Sequence, residues 1–215
     1  MKPLADCRLY TFVDGAYLHD RSPVEVASQL CEGGADIIQL RAKDWDESEI
    51  RGVAEKILPL TRSAEVPLVI NDYWTLASEA GAEACHLGQE DYFETDEDPT
   101  PELVFPGPLL GMSSHAPEQA QAAMDADADY VAVGPIFQTP TKPGRAAVTL
   151  DYVQWAAENI DCPWFAIGGI TLDNLDEVIE AGARRICVVS AILNAPDIAR
   201  TCQRFHERIT SVPLD

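Results

Sequence analysis

The chain alternates short apolar segments with longer segments at helical spacing, and this alternation repeats eight times. Apolar segments of roughly four to eight residues bounded by turn residues are typical of buried strands. When such strands alternate with helices, they form a parallel sheet that is covered on both faces. The candidate strands are RLYTFV (8–13), DIIQLR (36–41), PLVIN (67–71), ACHL (84–87), LLGMS (109–113), YVAVG (130–134), WFAIG (164–168) and RICVVS (185–190).

Helix signals separate the candidate strands. Ser22, Pro23 and Glu25 form a capping box with proline at the first helical position, and Gly33–Gly34 marks the end of that helix. Small residues end the other helices in the same way, and a charged residue then leads into the next strand. The candidate helices span 22–34, 46–60, 116–128, 149–160, 171–183 and 196–209.

Eight strand–helix units in 215 residues predict one α/β domain, a single (β/α)8 TIM barrel spanning residues 1–215. An open doubly wound sheet is the alternative, but no G-x-G-x-x-G sequence follows the first strand, which favours the barrel. One unit departs from the pattern. The segment 92–108 contains four prolines and five acidic residues, so we expect a short variant fourth helix flanked by loop.

The formal net charge is −21, which argues against binding to nucleic acid or to an anionic membrane surface. An anionic substrate would need local Arg and Lys side chains, helix N-termini or a divalent cation. The apolar runs are too short to span a bilayer. The six cysteines are spread singly and form no C-x-x-C pair, so we expect reduced thiols in a cytoplasmic protein.

Polar residues follow the strands at the end where the active site of a barrel lies. Gln39, Arg41 and Lys43 alternate along the second strand and therefore face the same side. Their convergent donors suit a phosphate or diphosphate. The alternative is that Arg41 and Lys43 pair with neighbouring acids at the surface.

Two neighbouring strands each end near a carboxylate. Asp72 follows the third strand, and Asp91 follows the fourth in the sequence HLGQED. Two carboxylates without a nearby Cys–His pair suit Mg²⁺, which also takes substrate phosphate oxygens as ligands. Asp91 in a helix N-cap or a solvated loop is the alternative. Glu90 is expected to be solvated, and His86 to be a buried, hydrogen-bonded histidine.

The remaining strands add anion-binding groups. The fifth ends near Ser113 and His115, and the sixth leads into a loop with hydroxyl and cationic side chains at Thr139, Thr141, Lys142 and Arg145. Gly168–Gly169 and Ser190 follow the seventh and eighth strands, where barrels commonly bind phosphate through backbone N–H groups and a helix N-terminus. This layout predicts a diphosphate near strands two to five and a monophosphate near strands seven and eight. Two phosphorylated substrates joined by displacement of diphosphate would fit it.

Seven blocks of this sequence, in order, resemble the thiamine-phosphate synthase family: QLRAK, NDYWTLA, HLGQED, GMSSH, YVAVGPIFQTPTK, AIGGITLDN and VVSAI. The resemblance covers nearly the whole chain. It implies a transferase that joins hydroxymethylpyrimidine diphosphate to hydroxyethylthiazole phosphate and yields thiamine phosphate and diphosphate.

The resemblance also implies roles for single residues. Asp72 and Asp91 match the Mg²⁺ ligands, and Arg41, Lys43, Ser113 and Lys142 match groups expected to assist catalysis. The implied substrate-binding residues are Tyr10, Gln39, Arg41, Lys43, Asn71, His86, Ser113, Thr139, Thr141, Lys142, Gly168, Gly169, Val189 and Ser190.

The family's reaction is thought to be dissociative, with diphosphate leaving before the thiazole nitrogen attacks a pyrimidinylmethyl cation. Such a step needs neutralisation of the leaving group and two well-placed reactants rather than a nucleophilic side chain. No Ser–His–Asp or Cys–His set is evident here. The size of the barrel is compatible with a homodimer.

Three alternatives remain open. A thiazole tautomerase-like isomerase of the same fold is expected to carry His in the Gly-x-x-Phe segment after the sixth strand, where this chain has Pro135. A sugar-phosphate or tryptophan-pathway isomerase would leave Asp72, Asp91 and the Gln-Arg-Lys set unused. A non-catalytic protein that binds thiamine phosphates is the third.

Overall fold

The computed structural model describes residues 1–96, 98–100, 107–139 and 147–214. Its strands form a closed, all-parallel barrel in the order β1 to β8, so the predicted TIM barrel is confirmed and the open sheet is excluded. Each predicted strand overlaps an observed one. The strands are β1 (Leu9–Asp14), β2 (Ile37–Arg41), β3 (Leu68–Asn71), β4 (Ala84–Leu87), β5 (Leu109–Ser114), β6 (Tyr130–Val133), β7 (Trp164–Ile167) and β8 (Ile186–Cys187).

Helices connect successive strands and cover the outside of the barrel. They are α1 (Pro23–Glu32), α2 (Glu47–Ser63), α3 (Trp74–Ala80), α4 (Gln89–Phe93), α5 (Pro117–Asp125), α6 (Thr149–Asn159), α7 (Leu175–Glu180), α8 (Ser190–Leu193) and α9 (Ile198–Thr210). The predicted start of α1 is present, because the N–H of Glu25 donates to Ser22 Oγ at 3.1 Å. A reciprocal capping box begins α2, where Asp46 and Glu49 each accept from the other's N–H.

The register of the first strand pair sets which side chains meet inside the barrel. Phe12 pairs with Gln39, and Asp14 pairs with Arg41, at the C-terminal end of the strands. The barrel closes where Tyr10 pairs with Cys187 of β8. The interior contains fully buried aromatic side chains, and the apolar faces of the helices pack around the outside. The polar ends of the strands therefore converge on one opening.

Two boundaries predicted for the seventh and eighth strand–helix units are wrong. The last strand ends at Cys187 rather than at residue 190, because the backbone turns at Val189 (φ −111°, ψ −87°) and Ser190 begins α8. The helix predicted over 171–183 begins only at Leu175. The Asn174 side chain accepts a hydrogen bond from the N–H of Thr171 at 2.8 Å and holds the residues before it in a turn.

The acidic segment 92–108 is described in part. The short helix predicted there exists, but it begins at Gln89 and ends at Phe93, so Asp91 lies inside it. The six cysteines, all within the described residues, form no disulfide. Over the same residues, no helix has the length and the apolar character needed to cross a membrane.

Candidate active site

A cavity of about 580 Å³ opens at the C-terminal end of the barrel strands. Every strand contributes to its lining, which is the arrangement expected of a TIM-barrel active site. The strand residues that face it include Tyr10, Gln39, Asn71, His86, Ser113, Ala132, Ile167 and Cys187.

The same cavity collects every predicted site residue that lies within the described part of the chain. Besides the strand residues named above, these are Arg41 at the end of β2, and Lys43, Asp72, Asp91, Thr139, Gly168, Gly169, Val189 and Ser190. Thr141, Lys142 and Arg145 lie outside the described residues. Residues far apart in sequence therefore meet around one space, although their individual roles remain predictions.

Arg41 forms an ion pair with a carboxylate that sequence reasoning missed. Its Nη1 lies 2.7 Å from Oδ2 of Asp14, a residue that is only 1% exposed. The other oxygen of Asp14 accepts a hydrogen bond from the N–H of Ala16 at 3.0 Å. The alternative, in which Arg41 pairs with a neighbouring acid at the surface, is thus only partly right, because the acid is Asp14 and the pair lies inside the barrel mouth. It fixes the guanidinium at the edge of the cavity.

The two predicted metal ligands reach the cavity from different local structures. Asp72 has a left-handed backbone (φ 67°), and its N–H donates to the carbonyl of His86 at 2.9 Å. Asp91 lies in the first turn of α4, where Oδ2 accepts from the N–H of Gly88 at 3.2 Å. Asp91 is therefore not the N-cap residue, which is Gly88, but its carboxylate caps the helix start from the third helical position and also lines the cavity.

The neighbours of Asp91 differ in what they do. Glu90 is exposed at the rim of the cavity, as expected. Gln89 is buried, and its amide nitrogen donates to the carbonyl of Ser113 at 2.8 Å. This contact fastens α4 to the end of β5, so the position of Asp91 relative to Ser113 is fixed by the fold.

A chain of hydrogen-bonding side chains crosses the floor of the cavity. Gln39 Nε2 donates to the Tyr10 hydroxyl at 2.6 Å, and that hydroxyl lies 2.9 Å from the hydroxyl of Tyr130. The Tyr130 hydroxyl lies 3.1 Å from His86 Nδ1, and His86 Nε2 lies 3.0 Å from Ser113 Oγ. The predicted buried, hydrogen-bonded histidine is therefore present. Burial raises the pKa of both tyrosines well above the usual value, so their hydroxyls stay protonated.

Tyr130 is the member of this chain that sequence reasoning missed. It begins the apolar strand β6 and reads as a core residue. Its hydroxyl is fully buried beneath the cavity, and its ring packs against His86 and Phe165, with ring centroids 5.6 Å and 5.8 Å away. No sequence signal distinguishes it from an ordinary core tyrosine.

Gly168 and Gly169 have a structural requirement of their own. Both have positive φ (106° and 65°), and a Cβ on either would lie within 2.7 Å of atoms in Pro135 or Phe137. Asn174 holds this turn, because its side chain also donates to the carbonyl of Gly169 at 2.9 Å. The predicted phosphate-binding turn is thus an ordered loop at the cavity edge.

The residues after β8 complete this edge of the cavity. Val189 and Ser190 line the cavity, and Ser190 is the first residue of the four-residue helix α8. A short extra helix after the eighth strand, beside the loop of the seventh, is the common phosphate site of TIM barrels. This edge lies opposite the carboxylates of β3 and α4 in the strand order.

Comparison with known proteins agrees with these features. A family model described as thiamine monophosphate synthase matches residues 9–192. The chain belongs to this family. The resemblance found in the sequence blocks is therefore confirmed.

Relatives of this family member are similar over nearly all of its length. A thiamine-phosphate synthase of Thermus thermophilus is 50% identical over 183 residues, covering 84% of this chain and 85% of that protein. That of Acidothermus cellulolyticus is 41% identical over 210 residues, covering 97% of each. A solved thiamine phosphate pyrophosphorylase from Pyrococcus furiosus superposes with a TM-score of 0.82 at 26% identity, covering 97% of this chain and 98% of that one. The chain is thus a member of an enzyme family.

Proposed function

We propose that this chain joins hydroxymethylpyrimidine diphosphate to hydroxyethylthiazole phosphate, giving thiamine phosphate and diphosphate. The observation that carries the proposal is one cavity with two polar edges of different composition. Cationic and carboxylate side chains gather at β2 to α4, and a glycine turn and a short helix N-terminus gather at β7 to α8. Two phosphorylated substrates bound at these edges would meet over the cavity floor.

The first edge would hold the diphosphate. Gln39, Arg41, Lys43 and Asn71 line the cavity there and offer amide, guanidinium and ammonium donors. Asp14 holds Arg41 in place but also offsets part of its charge. Thr139, Thr141 and Lys142 are proposed to add donors from the loop after β6, and Ser113 from β5.

The donor set at this edge fits Mg²⁺. Asp72 and Asp91 supply hard carboxylate oxygens to the same cavity, and Mg²⁺ commonly binds one or two carboxylates together with waters and substrate phosphates. Among the described residues, no group of three or more metal-binding side chains comes together, so the chain would supply two carboxylates and the remaining ligands would come from water and the diphosphate. When bound, the ion would neutralise charge on the diphosphate.

The second edge would hold the thiazole phosphate. Ser190, the first residue of α8, and the turn at Gly168–Gly169 line this edge of the cavity, and their backbone N–H groups are proposed to bind the phosphate. Val189 precedes the helix and lines the same edge. Binding there would direct the thiazole ring toward the centre of the barrel mouth.

The pyrimidine would lie on the floor, against Tyr10 and His86. The bond between its methylene carbon and the diphosphate oxygen breaks, and that electron pair leaves with the diphosphate. The thiazole nitrogen then supplies the electron pair of the new carbon–nitrogen bond. Arg41, Lys43 and Ser113 would stabilise the growing negative charge, and Lys142 is proposed to do the same. The aromatic rings at the floor, whose polar atoms are already hydrogen-bonded to one another, would keep water away from the cation.

Formation of thiamine phosphate by the purified protein tests this proposal. Each substrate is omitted in turn, and the product is identified by mass spectrometry. The proposal expects product only when both substrates are present with Mg²⁺. Conversion of a thiazole phosphate isomer without the pyrimidine substrate would instead support the tautomerase. Pro135, which cannot act as a base, occupies the position where that isomerase is expected to carry His.

The homodimer and the cytoplasmic location stay predictions. Sedimentation equilibrium of the purified chain measures the first, since a monomer of 23.5 kDa is readily separated from a dimer. A binding protein without activity would retain thiamine phosphate and release no diphosphate in the assay above.

A further inference from the structure

We infer that Tyr130 is a positioning residue that fixes the tautomer of His86 and thereby directs the Ser113 hydroxyl proton into the cavity. The inference rests on the proposed function for its kinetic consequence, but its structural content does not. Tyr130 is fully buried below the cavity floor and is not among the residues that line the cavity. It links the Gln39–Tyr10 pair on one side of the barrel to the His86–Ser113 pair on the other.

Counting protons shows which group donates and which accepts in each of these hydrogen bonds. Gln39 Nε2 donates to the Tyr10 oxygen, so the single proton of Tyr10 is available for Tyr130. If Tyr130 instead donated to Tyr10, the Tyr10 proton would have no acceptor. Tyr10 is only 1% exposed, and among the described residues no other acceptor lies within hydrogen-bond distance of its hydroxyl. A buried donor without a partner is costly. Tyr10 therefore donates to Tyr130.

The same counting continues to the other side of the barrel. Tyr130 has one proton, which it donates to His86 Nδ1 at 3.1 Å. That nitrogen is then an acceptor, so the proton of the neutral imidazole lies on Nε2. Nε2 donates to Ser113 Oγ at 3.0 Å. The Ser113 proton is left to donate into the cavity, toward an anionic leaving group.

The surroundings hold Tyr130 in this role. Its ring stacks on His86 at an interplanar angle of 29° and meets Tyr10 edge-on at 67°. Gly111, its neighbour on β5, leaves the space that the ring fills, since a Cβ there would lie 2.0 Å from Tyr130 Cζ. Burial keeps the Tyr10 and Tyr130 hydroxyls protonated through a raised pKa. The direction of the chain therefore does not change at neutral pH.

The first test is the tautomer of His86 in the wild-type protein. Protein labelled with ¹⁵N-histidine is examined by NMR, and the His86 signals are assigned among the four histidines by their loss in His86→Gln. We expect a neutral ring protonated at Nε2. A ring protonated at Nδ1 would overturn the inference, whether or not the protein proves to be a synthase.

The second test removes the Tyr130 hydroxyl from the row of hydrogen bonds. In Tyr130→Phe, His86 loses the donor to Nδ1, so we expect the Nδ1-protonated form to appear. We also expect kcat for thiamine phosphate formation to fall by about 10- to 100-fold with little change in KM, because the Ser113 donor matters most as charge develops. A kcat within about twofold of wild type, with an unchanged tautomer, would also overturn it.

Tyr152→Phe is the matched control. It removes a hydroxyl that donates to the carbonyl of Ala116 at 2.7 Å and also contacts Ser114. Ser114 is next to Ser113 in sequence, but this hydroxyl takes no part in the hydrogen bonds that link Tyr10, Tyr130, His86 and Ser113. We expect this variant to keep the wild-type His86 tautomer and kcat. An equal loss in both variants would assign the effect of Tyr130→Phe to general loosening of the barrel and so overturn the positioning role.

Discussion

Replacing Gly111 by alanine tests how tightly the barrel floor is packed. The added Cβ would lie 2.0 Å from Tyr130 Cζ and 2.3 Å from its hydroxyl oxygen, closer than nonbonded atoms approach. The ring has no room to move, because it is fully buried and packs against Tyr10, His86 and Phe165. Either the ring is displaced from its hydrogen bonds or the strand pair β5–β6 shifts.

The cost follows from two contributions. Overpacking of a buried site typically costs about 1–3 kcal/mol, and each of the two hydrogen bonds of Tyr130 contributes roughly 1 kcal/mol. We therefore expect Gly111→Ala to lower the free energy of unfolding by about 2–5 kcal/mol. For a domain of this size, that lowers the Tm by on the order of 10 °C.

Gly52→Ala is the matched control, because a Cβ on this α2 residue meets nothing within 4 Å. Alanine is the better helix former by about 1 kcal/mol, so this variant should gain a few degrees in Tm. Both variants are measured by calorimetry and by urea denaturation against wild type. Equal Tm values for Gly111→Ala and wild type would refute the packing argument. In a Tyr130→Val background, where the ring is absent, the penalty of Gly111→Ala should shrink below about 1 kcal/mol.

Asp91→Asn should lower the Mg²⁺-dependent turnover rate by about 10- to 100-fold without unfolding the chain. Asp96→Asn, at an exposed acidic residue nearby, is the control and should match wild type. A wild-type rate in Asp91→Asn at saturating Mg²⁺ would contradict the metal assignment. Asn174→Ala should raise the KM for the thiazole phosphate several-fold, because it frees the Gly169 turn; the exposed Asn159→Ala is its control, and equal KM values in both would argue against a role for the turn. Burial raises the pKa of the Cys202 thiol from 9.0 to about 12, so the folded state keeps its proton at a pH where the unfolded state loses it. Its contribution to stability is complete below pH 9 and is lost between pH 9 and 12; urea midpoints should fall over that range less steeply in Cys202→Ser, and parallel slopes would contradict the assignment.

The barrel could be predicted from the sequence because the strands are apolar runs and the helices between them are bounded by recognisable capping and turn residues. α3 has a signal at its end, the left-handed Gly81, but none at its start. Its first residue is preceded by Tyr73, whose side chain makes no capping hydrogen bond, and the helix is only seven residues long. The late start of α7 was missed because Asn174 forms a turn with Thr171, and a polar turn resembles a helix cap in sequence.

Asp72, Asp91 and Gly168–Gly169 could be predicted to line the cavity because they follow strands, and the C-terminal ends of barrel strands meet at one opening. Tyr10 lies within a strand and was predicted only from the family resemblance. Partners that depend on strand register could not be predicted. Asp14 ends an apolar strand, and its pairing with Arg41 appears only when β1 and β2 are aligned. Tyr130 contacts Tyr10 and His86, which lie on strands far from β6 in sequence. Such contacts across the barrel interior leave no local pattern.

Paired quantification of both products is the most direct test of the central claim, that one cavity brings two phosphorylated substrates together with loss of diphosphate. Thiamine phosphate and diphosphate are measured in the same reaction of the purified chain, with both substrates, Mg²⁺ and, in parallel, a chelator. Equal molar amounts of the two products, abolished by the chelator, are the predicted result. Diphosphate released without an equal amount of thiamine phosphate, or no diphosphate at all while the thiazole phosphate remains bound, would contradict it.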